Sequence, residues 1–279
     1  QTSSDGTIKW LIKLFDNNEV ECVYIPEKTR ATLCISSQVG CTLNCRFCHT
    51  GTQKLVKNLS FMEIVNQVMI AKEQINDWGE HKKITNIVLM GMGEPLYNYD
   101  NVKTAVEILK DKEGLNYGPK KITVSTAGIA NKIVEAANEI GTYLAISLHA
   151  PTHNISELIM PINKKFKIKD LIEQCKQYSL IVKEKITLEY VMLREVNDSI
   201  ECAKQLVKLM AQFPCKVNLI EFNPWPGVQY LPTERQEIEK FGKVIQDAGY
   251  VATIRRSRGQ DIFGACGQLR TESKKNKLL

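Results

Sequence analysis

The chain lacks any apolar run approaching the ~18 residues that cross a bilayer, so no membrane span is expected. It opens with no signal-peptide pattern. That argues against a secreted, disulfide-stapled fold for its nine cysteines, and the cytoplasm is the expected compartment. No G-x-G-x-x-G follows the first strand-like run, which lowers a dinucleotide-binding reading. There is no low-complexity segment and no internal repeat. The first residue is Gln1, not Met, so a preceding part of a longer protein is expected.

What is present is ordinary globular composition, 43% hydrophobic and 24% charged over 279 residues, long enough for one large or two small domains. Residues 7–15 and 20–25 alternate apolar and polar around Asp16-Asn17-Asn18 and predict a β-hairpin. Apolar runs follow at 32–37, 84–90, 121–126, 143–148, 186–192, 216–222 and 250–255, with segments of helical period between them. Ser60 with Glu63 predicts a capping box, and Ile64, Val65, Val68 and Ile75 fall near one face. Thr233 with Gln236 predicts a second start, with Gly249 as its stop. Repeated strand–helix alternation indicates a parallel α/β fold, and period alone leaves an open sheet and a barrel both standing.

The densest chemistry lies in residues 34–48. Cys34 is followed by Cys41, Cys45 and Cys48 in C-x3-C-x2-C spacing. Three thiolates so spaced can wrap three corners of a [4Fe–4S] cubane and leave one iron open to a small molecule. The rival is zinc, with His49 or Cys34 as fourth ligand; no second C-x2-C knuckle exists, and His49 directly after Cys48 is poorly placed to close a tetrahedron. Chance clustering is the third reading. Cys22, Cys175, Cys202 and Cys215 are unclustered and read as packed or surface thiols.

C-x3-C-x2-C just after the first strand of an α/β fold resembles the radical S-adenosylmethionine (SAM) superfamily. Gly91-Met92-Gly93-Glu94-Pro95 resembles its glycine-and-glutamate motif for the SAM amino group. The resemblance narrows to the RlmN/Cfr family of RNA adenine methyltransferases through Val23-Tyr24-Ile25-Pro26-Glu27, Ala31 to Cys41, Ala145-Ile146-Ser147-Leu148-His149-Ala150-Pro151, Met160 to Lys165, Asn223-Pro224-Trp225-Pro226-Gly227 and Ala265-Cys266-Gly267-Gln268-Leu269. It covers about residues 20 to 270 and is closer to the branch that methylates carbon 2 of adenosine in 23S rRNA and tRNA than to the carbon-8 branch. It implies a partial (β/α)6 radical-SAM barrel at 28–270, an N-terminal β-hairpin extension at 1–27, a basic tail at 271–279, and an N-terminal accessory domain outside this sequence.

Carbon 2 of adenine is an electron-poor sp2 centre that does not attack a sulfonium methyl as an amine does, whereas a radical can add to it. The resemblance implies two SAM molecules per turnover. Cys266 takes a methyl from the first as a nucleophile. A 5′-deoxyadenosyl radical from the second removes hydrogen from that methyl, and the resulting methylene radical adds to the ring. Glu21 matches the proton acceptor, and Cys34 attacks the Cys266 sulfur to release product, leaving a transient Cys34–Cys266 disulfide. Cys41, Cys45 and Cys48 match the cluster ligands, and Gly93, Glu94, Ser125, Ser147, Leu148, His149 and Asn223 match SAM contacts. Read alone, Cys266 is a tolerated thiol in a small-residue loop, Cys34 a core residue, Glu21 a surface hairpin residue and His149 a satisfied core histidine.

The net charge is +6 with pI about 8.7. Lys120 and Lys121; Lys164, Lys165, Lys167 and Lys169; Arg255, Arg256 and Arg258; and Lys274, Lys275 and Lys277 form basic clusters suited to phosphates, or merely a solvated surface. Trp225 and Tyr230 suit stacking on an extruded base. A flavodoxin-type electron donor and a monomeric state complete the expectation. A non-catalytic, metal-containing RNA-binding module is the alternative from another class.

Overall fold

A computed structural model describes residues 1–271; the Lys274, Lys275 and Lys277 cluster lies outside the described residues. Two compact units are present. Gln1–Thr42, Cys48–Ser125 and the residues from Arg258 form the first, and Leu43–Phe47 with Thr126–Ser257 form the second.

In the first unit, β1 (Ile8–Lys13) and β2 (Glu19–Pro26) form the expected hairpin, with Leu11 opposite Glu21. Asn17 takes the left-handed conformation at the turn (φ +63°), which Asn tolerates better than most residues. β2 also pairs antiparallel with β3 (Ala31–Cys34), so the hairpin is continuous with this sheet. After a short ribbon of β4 (Gln38–Val39) and β5 (Lys57–Asn58) comes helix α1 (Phe61–Gln74). The capping box at its start is as expected: the Glu63 N–H donates to Ser60 Oγ at 3.3 Å, and the Ser60 N–H to Glu63 Oε2 at 2.8 Å. Ile64, Val68 and Ala71 are buried on one face, and each larger side chain contributes about 1.5–3 kcal/mol by leaving water. From the same face the Gln67 amide bonds both the N–H and the carbonyl of Ser36 at 2.8 Å. It thereby continues the hydrogen bonding of the chain where β3 has ended. β6 (Asn86–Leu89), α2 (Tyr99–Lys110) and β7 (Ile122–Thr126) follow, and β3, β6 and β7 run parallel.

The second unit alternates α3 (Ile133–Glu139), β8 (Tyr143–Ser147), α4 (His153–Ile159), α5 (Ile168–Val182), β9 (Ile186–Met192), α6 (Ile200–Met210), β10 (Cys215–Glu221), α7 (Arg235–Asp247) and β11 (Ala252–Arg255). β8, β9, β10 and β11 are parallel neighbours in that order. Tyr190 of β9 packs on Phe241 of α7 with ring centroids 5.3 Å apart. Every apolar run marked in the sequence from 32 to 255 holds a strand. The second capping box is not formed: α7 begins at Arg235 behind Glu234, and the Thr233 hydroxyl donates to Asp198 Oδ2 at 2.9 Å. Gly249 (φ +87°) does end the helix.

Candidate active site

The segment after β3 is locked to the glycine-and-glutamate loop. The N–H groups of Ser37 and Gln38 donate to the Met92 carbonyl at 2.9 and 3.2 Å. The Met92 N–H donates to Ser36 Oγ at 2.9 Å, and that hydroxyl donates to the Glu21 carbonyl at 2.6 Å. The Glu94 N–H donates to Gln38 Oε1 at 2.8 Å, while Glu94 Oε1 accepts the Leu96 N–H at 3.0 Å. Glu94 is thus buried with a fixed carboxylate at the head of a 3-10 turn (Pro95–Asn98). Gly93 is required here: φ is +100°, and a Cβ on it would lie 2.5 Å from the Gln38 Cβ. Burial, then Glu94, then Cys41 push the nearby Tyr97 hydroxyl up.

The cysteine loop begins at Gly40 (φ +75°), where a Cβ would lie 2.1 Å from the Lys54 carbonyl oxygen. Cys41 and Cys48 belong to the first unit and Cys45 to the second. In the second unit Phe47 meets the His149 ring edge-on at 4.7 Å, and Trp225 Nε1 donates to the Phe47 carbonyl at 3.1 Å. Among the described residues no three Cys, His, Asp or Glu side chains are grouped to hold a single metal ion. Cubane thiolates each bind a different iron, so a cluster does not need them to meet at one point. The donor set fits a cluster at Cys48. Burial pushes this thiol up, while the N–H groups of Gly51 and Thr50 bond its sulfur and favour the thiolate. His49 does not fit as a zinc ligand: Nδ1 is 3.3 Å from the Gln268 carbonyl and Nε2 is 3.0 Å from Arg270 Nη1.

Cys266 is exposed, and the residues that follow it are held by their backbone carbonyls. The His49 N–H donates to the Gly267 carbonyl at 2.7 Å, and the Thr50 hydroxyl to the Leu269 carbonyl at 2.6 Å. The Cys266 thiol acts electrostatically on Cys48, which places the two in one neighbourhood of the first unit. Glu21 is not the surface residue its hairpin position suggests. Its side chain is only 6% exposed and pairs with Lys9 Nζ at 2.7 Å, and its Oε2 accepts the Arg270 N–H at 2.9 Å. The hairpin face is covered by the C-terminal loop, which amphipathic period cannot reveal. Cys34 is the half-buried last residue of β3, opposite Val23. Cys34 and Cys266 are both thiols here.

Ser125, near the end of β7, lies in the first unit; Ser147, Leu148, His149 and Asn223 lie in the second. His149 is buried, its Nδ1 accepts the Val191 N–H at 3.0 Å, and burial lowers its pKa to about 3. The neutral ring thereby anchors β9 through Nδ1. Asn197 secures it from below by donating to the His149 and Val191 carbonyls, each at 2.7 Å. Sequence reading did not single out Asn197 or Lys9, which carry no local motif, and Gln38 stood out only as part of the Ala31 to Cys41 stretch. It also passed over Glu189. This buried residue of β9 lies in register with Ser147 and accepts from Asn218 at 2.9 Å on Oε1, with Oε2 unpartnered. Cys22, Cys175, Cys202 and Cys215 are buried; burial raises Cys22 and Cys215 to about 12, which makes them inert. Arg258 is not available to RNA: it pairs with Asp5 at 3.1 Å and donates to the Pro26 carbonyl at 3.0 Å.

Residues 35–207 match the Radical SAM superfamily. The dual-specificity RNA methyltransferase RlmN of Bradyrhizobium diazoefficiens is 52% identical, over 99% of this chain and 72% of that one. The protein of the same description from Rhodopseudomonas palustris is 50% identical with the same two coverages. The crystal structure of a radical SAM methyltransferase from Sphaerobacter thermophilus superposes with a TM-score of 0.94 at 40% identity, over 98% of this chain and 80% of that one. Streptococcus suis SuiB bound to S-adenosylmethionine shares the fold alone, at 13% identity and a TM-score of 0.59 over 81% of this chain and 50% of that one.

Proposed function

The chain belongs to the radical SAM superfamily and, within it, to the RlmN family of RNA methyltransferases, and from that premise we propose that it methylates carbon 2 of adenosine in 23S rRNA and tRNA. It is a methyltransferase of the partial-barrel α/β class, so the non-catalytic RNA-binding alternative falls away. Its cofactors are a [4Fe–4S] cluster and SAM. Cys41, Cys45 and Cys48 would hold the cluster; when bound, cluster and SAM supply the radical that removes hydrogen from a methyl group.

Everything else falls to side chains of this chain. Cys266 takes up the methyl as a thiolate, and its exposed position leaves room for both SAM and an extruded base. Gly93 and Glu94 bind the SAM amino group, with the Glu94 carboxylate already oriented by the Leu96 N–H. Glu21 accepts the ring proton. Cys34 attacks the Cys266 sulfur and frees the product. Ser125, Ser147, Leu148, His149 and Asn223 line the SAM site, and His149 also ties down β9 through the Val191 N–H. Exposed Lys120, Lys121, Lys164, Lys165, Lys167 and Arg256 meet phosphates, so RNA affinity falls with salt. A flavodoxin-type protein supplies electrons to a monomer. No helix among the described residues is long and apolar enough to cross a membrane, and the cytoplasm, where both RNAs reside, is the proposed compartment.

One observation carries the reading. Cys266, Cys48 and Glu21 belong to one unit, and backbone bonds from His49 and Arg270 fix the Cys266 loop beside the other two. Peptide mass spectrometry of the purified holoenzyme tests it: one added methyl on Cys266 is expected, and none under turnover conditions refutes it. Nucleoside mass spectrometry of the RNA product separates carbon 2 from carbon 8.

A further inference from the structure

Lys9 sits on β1, two residues from the position opposite Glu21, and cross-strand diagonals of a hairpin share a face. Its ammonium pairs with Glu21 Oε1 at 2.7 Å, with side-chain exposures of 11% and 6%. The same ammonium reaches the Phe263 carbonyl at 3.4 Å, and Glu21 Oε2 accepts the Arg270 N–H at 2.9 Å. Phe263 lies three residues before Cys266 and Arg270 four after it. The ion pair therefore clasps both flanks of the Cys266 loop.

We propose that Lys9 is a positioning residue for the release half of the reaction: it keeps the Glu21 carboxylate aimed and registered against the Cys266 loop, ready to accept the ring proton. The proposal rests on the reading of Glu21 as proton acceptor. The Lys9 ammonium and the Arg270 N–H between them partner both oxygens of this buried carboxylate. Hydrogen bonds to both of its oxygens fix which lone pairs stay open. As the proton passes to Glu21, the carbon–hydrogen bonding pair stays with the ring, the carboxylate becomes a carboxylic acid, and the adduct's one unpaired electron would return to the bound cluster, which had given one electron to SAM. A carboxylate that has swung away for want of Lys9 is out of place for this step. Methyl transfer from SAM to Cys266 does not use Glu21, so Lys9 separates the two halves of the reaction.

The test uses the full chain with its cluster reconstituted. It compares K9M, K9R and E21Q for methyl on Cys266, covalent Cys266–RNA adduct on denaturing gels, and methylated adenosine. In K9M, Cys266 methylation stays at the native level, which also reports a folded loop. The adduct rises and turnover falls about ten- to a hundredfold, the equivalent of losing one charge-assisted hydrogen bond. K9R, which keeps the cation, restores most of the turnover. If E21Q accumulates adduct and K9M does not, the role of Lys9 is wrong and that of Glu21 stands. If neither accumulates adduct while Cys266 is methylated, Glu21 is not the acceptor and both readings fall. Loss of Cys266 methylation in K9M and K9R alike would show a purely structural lysine and overturn the proposal.

Discussion

Gly93→Ala is the sharpest test of how the glycine-and-glutamate loop is built. Gly93 has φ +100°, a backbone conformation that costs an L residue about 1–2 kcal/mol. The new methyl would also sit 2.5 Å from the Gln38 Cβ, 2.7 Å from its Cγ and 2.8 Å from its backbone N. Gln38 cannot yield cheaply. Its N–H is held by the Met92 carbonyl at 3.2 Å, its Oε1 accepts the Glu94 N–H at 2.8 Å, and its Nε2 donates to Asn58 at 2.7 Å. Giving up one such bond costs about 1 kcal/mol, so the total is about 3 kcal/mol. Gly118→Ala is the control, because Gly118 has φ −61° and nothing within 4 Å of its Cβ position; it should stay within about 0.5 kcal/mol of the parent. Urea unfolding of both variants measures the difference. Equilibrium dialysis should show SAM binding weakened about tenfold or more in G93A, since Glu94 moves with Gln38. If G93A is as stable as G118A, close approach is not why this position is glycine.

Ser60→Ala removes one side of the α1 capping box and should cost about 1 kcal/mol in urea unfolding, with SAM affinity unchanged. Cys45→Ala should lower bound iron from about four per chain and abolish 5′-deoxyadenosine formation; full iron in this variant would remove Cys45 from the ligand set. Cys34→Ala should accumulate a covalent RNA adduct at Cys266, and its absence with Cys266 methylated would refute the release role of Cys34. His149 has a folded pKa of about 3 against an ordinary 6.5. Between those values the unfolded chain binds the extra proton, so stability rises with pH and is lost as pH falls below 6.5. From pH 6.5 to 4 the loss approaches about 3 kcal/mol, and His149→Asn should flatten that slope.

The strands were legible because their apolar runs are bounded by helical period, and that signal is local. Ser60 and Glu63 were legible for the same reason: both partners lie within four residues. Thr233 and Gln236 show the same pattern and fail: α7 starts behind Glu234, one residue later, and the Thr233 hydroxyl turns to Asp198, 35 residues earlier. Glu21 was misread as a surface residue since its burial depends on Arg270, 249 residues away. Its partner Lys9 follows from the hairpin register once the turn at Asn17 is known, but nothing in the spacing says that this hairpin face is covered. That Gly93 needs a positive φ is readable from the motif; that Gln38 presses against it is not. The C-x3-C-x2-C spacing named the cluster, whereas His49 was excluded as a ligand only by seeing both its ring nitrogens engaged.

The contrast among the cysteines explains why the Cys266 loop is anchored as it is. Burial is the cheapest way to fix a thiol, and Cys22 and Cys215 are fixed that way, but burial raises each to about 12 and shuts out any partner. A thiol that must take a methyl from one molecule and deliver it to another has to stay exposed, so packing cannot hold it. Its position then has to come from its neighbours' backbone. Gly267 is bonded by His49, Leu269 by Thr50, Thr271 by Gln53 and Arg270 by Glu21, while the Gly264 N–H closes on the Gly259 carbonyl at 2.8 Å. Three of these anchors, His49, Thr50 and Gln53, follow directly on Cys48. On the proposed roles, the segment that would supply cluster ligands also sets the place of the methyl carrier, through hydrogen bonds from His49, Thr50 and Gln53.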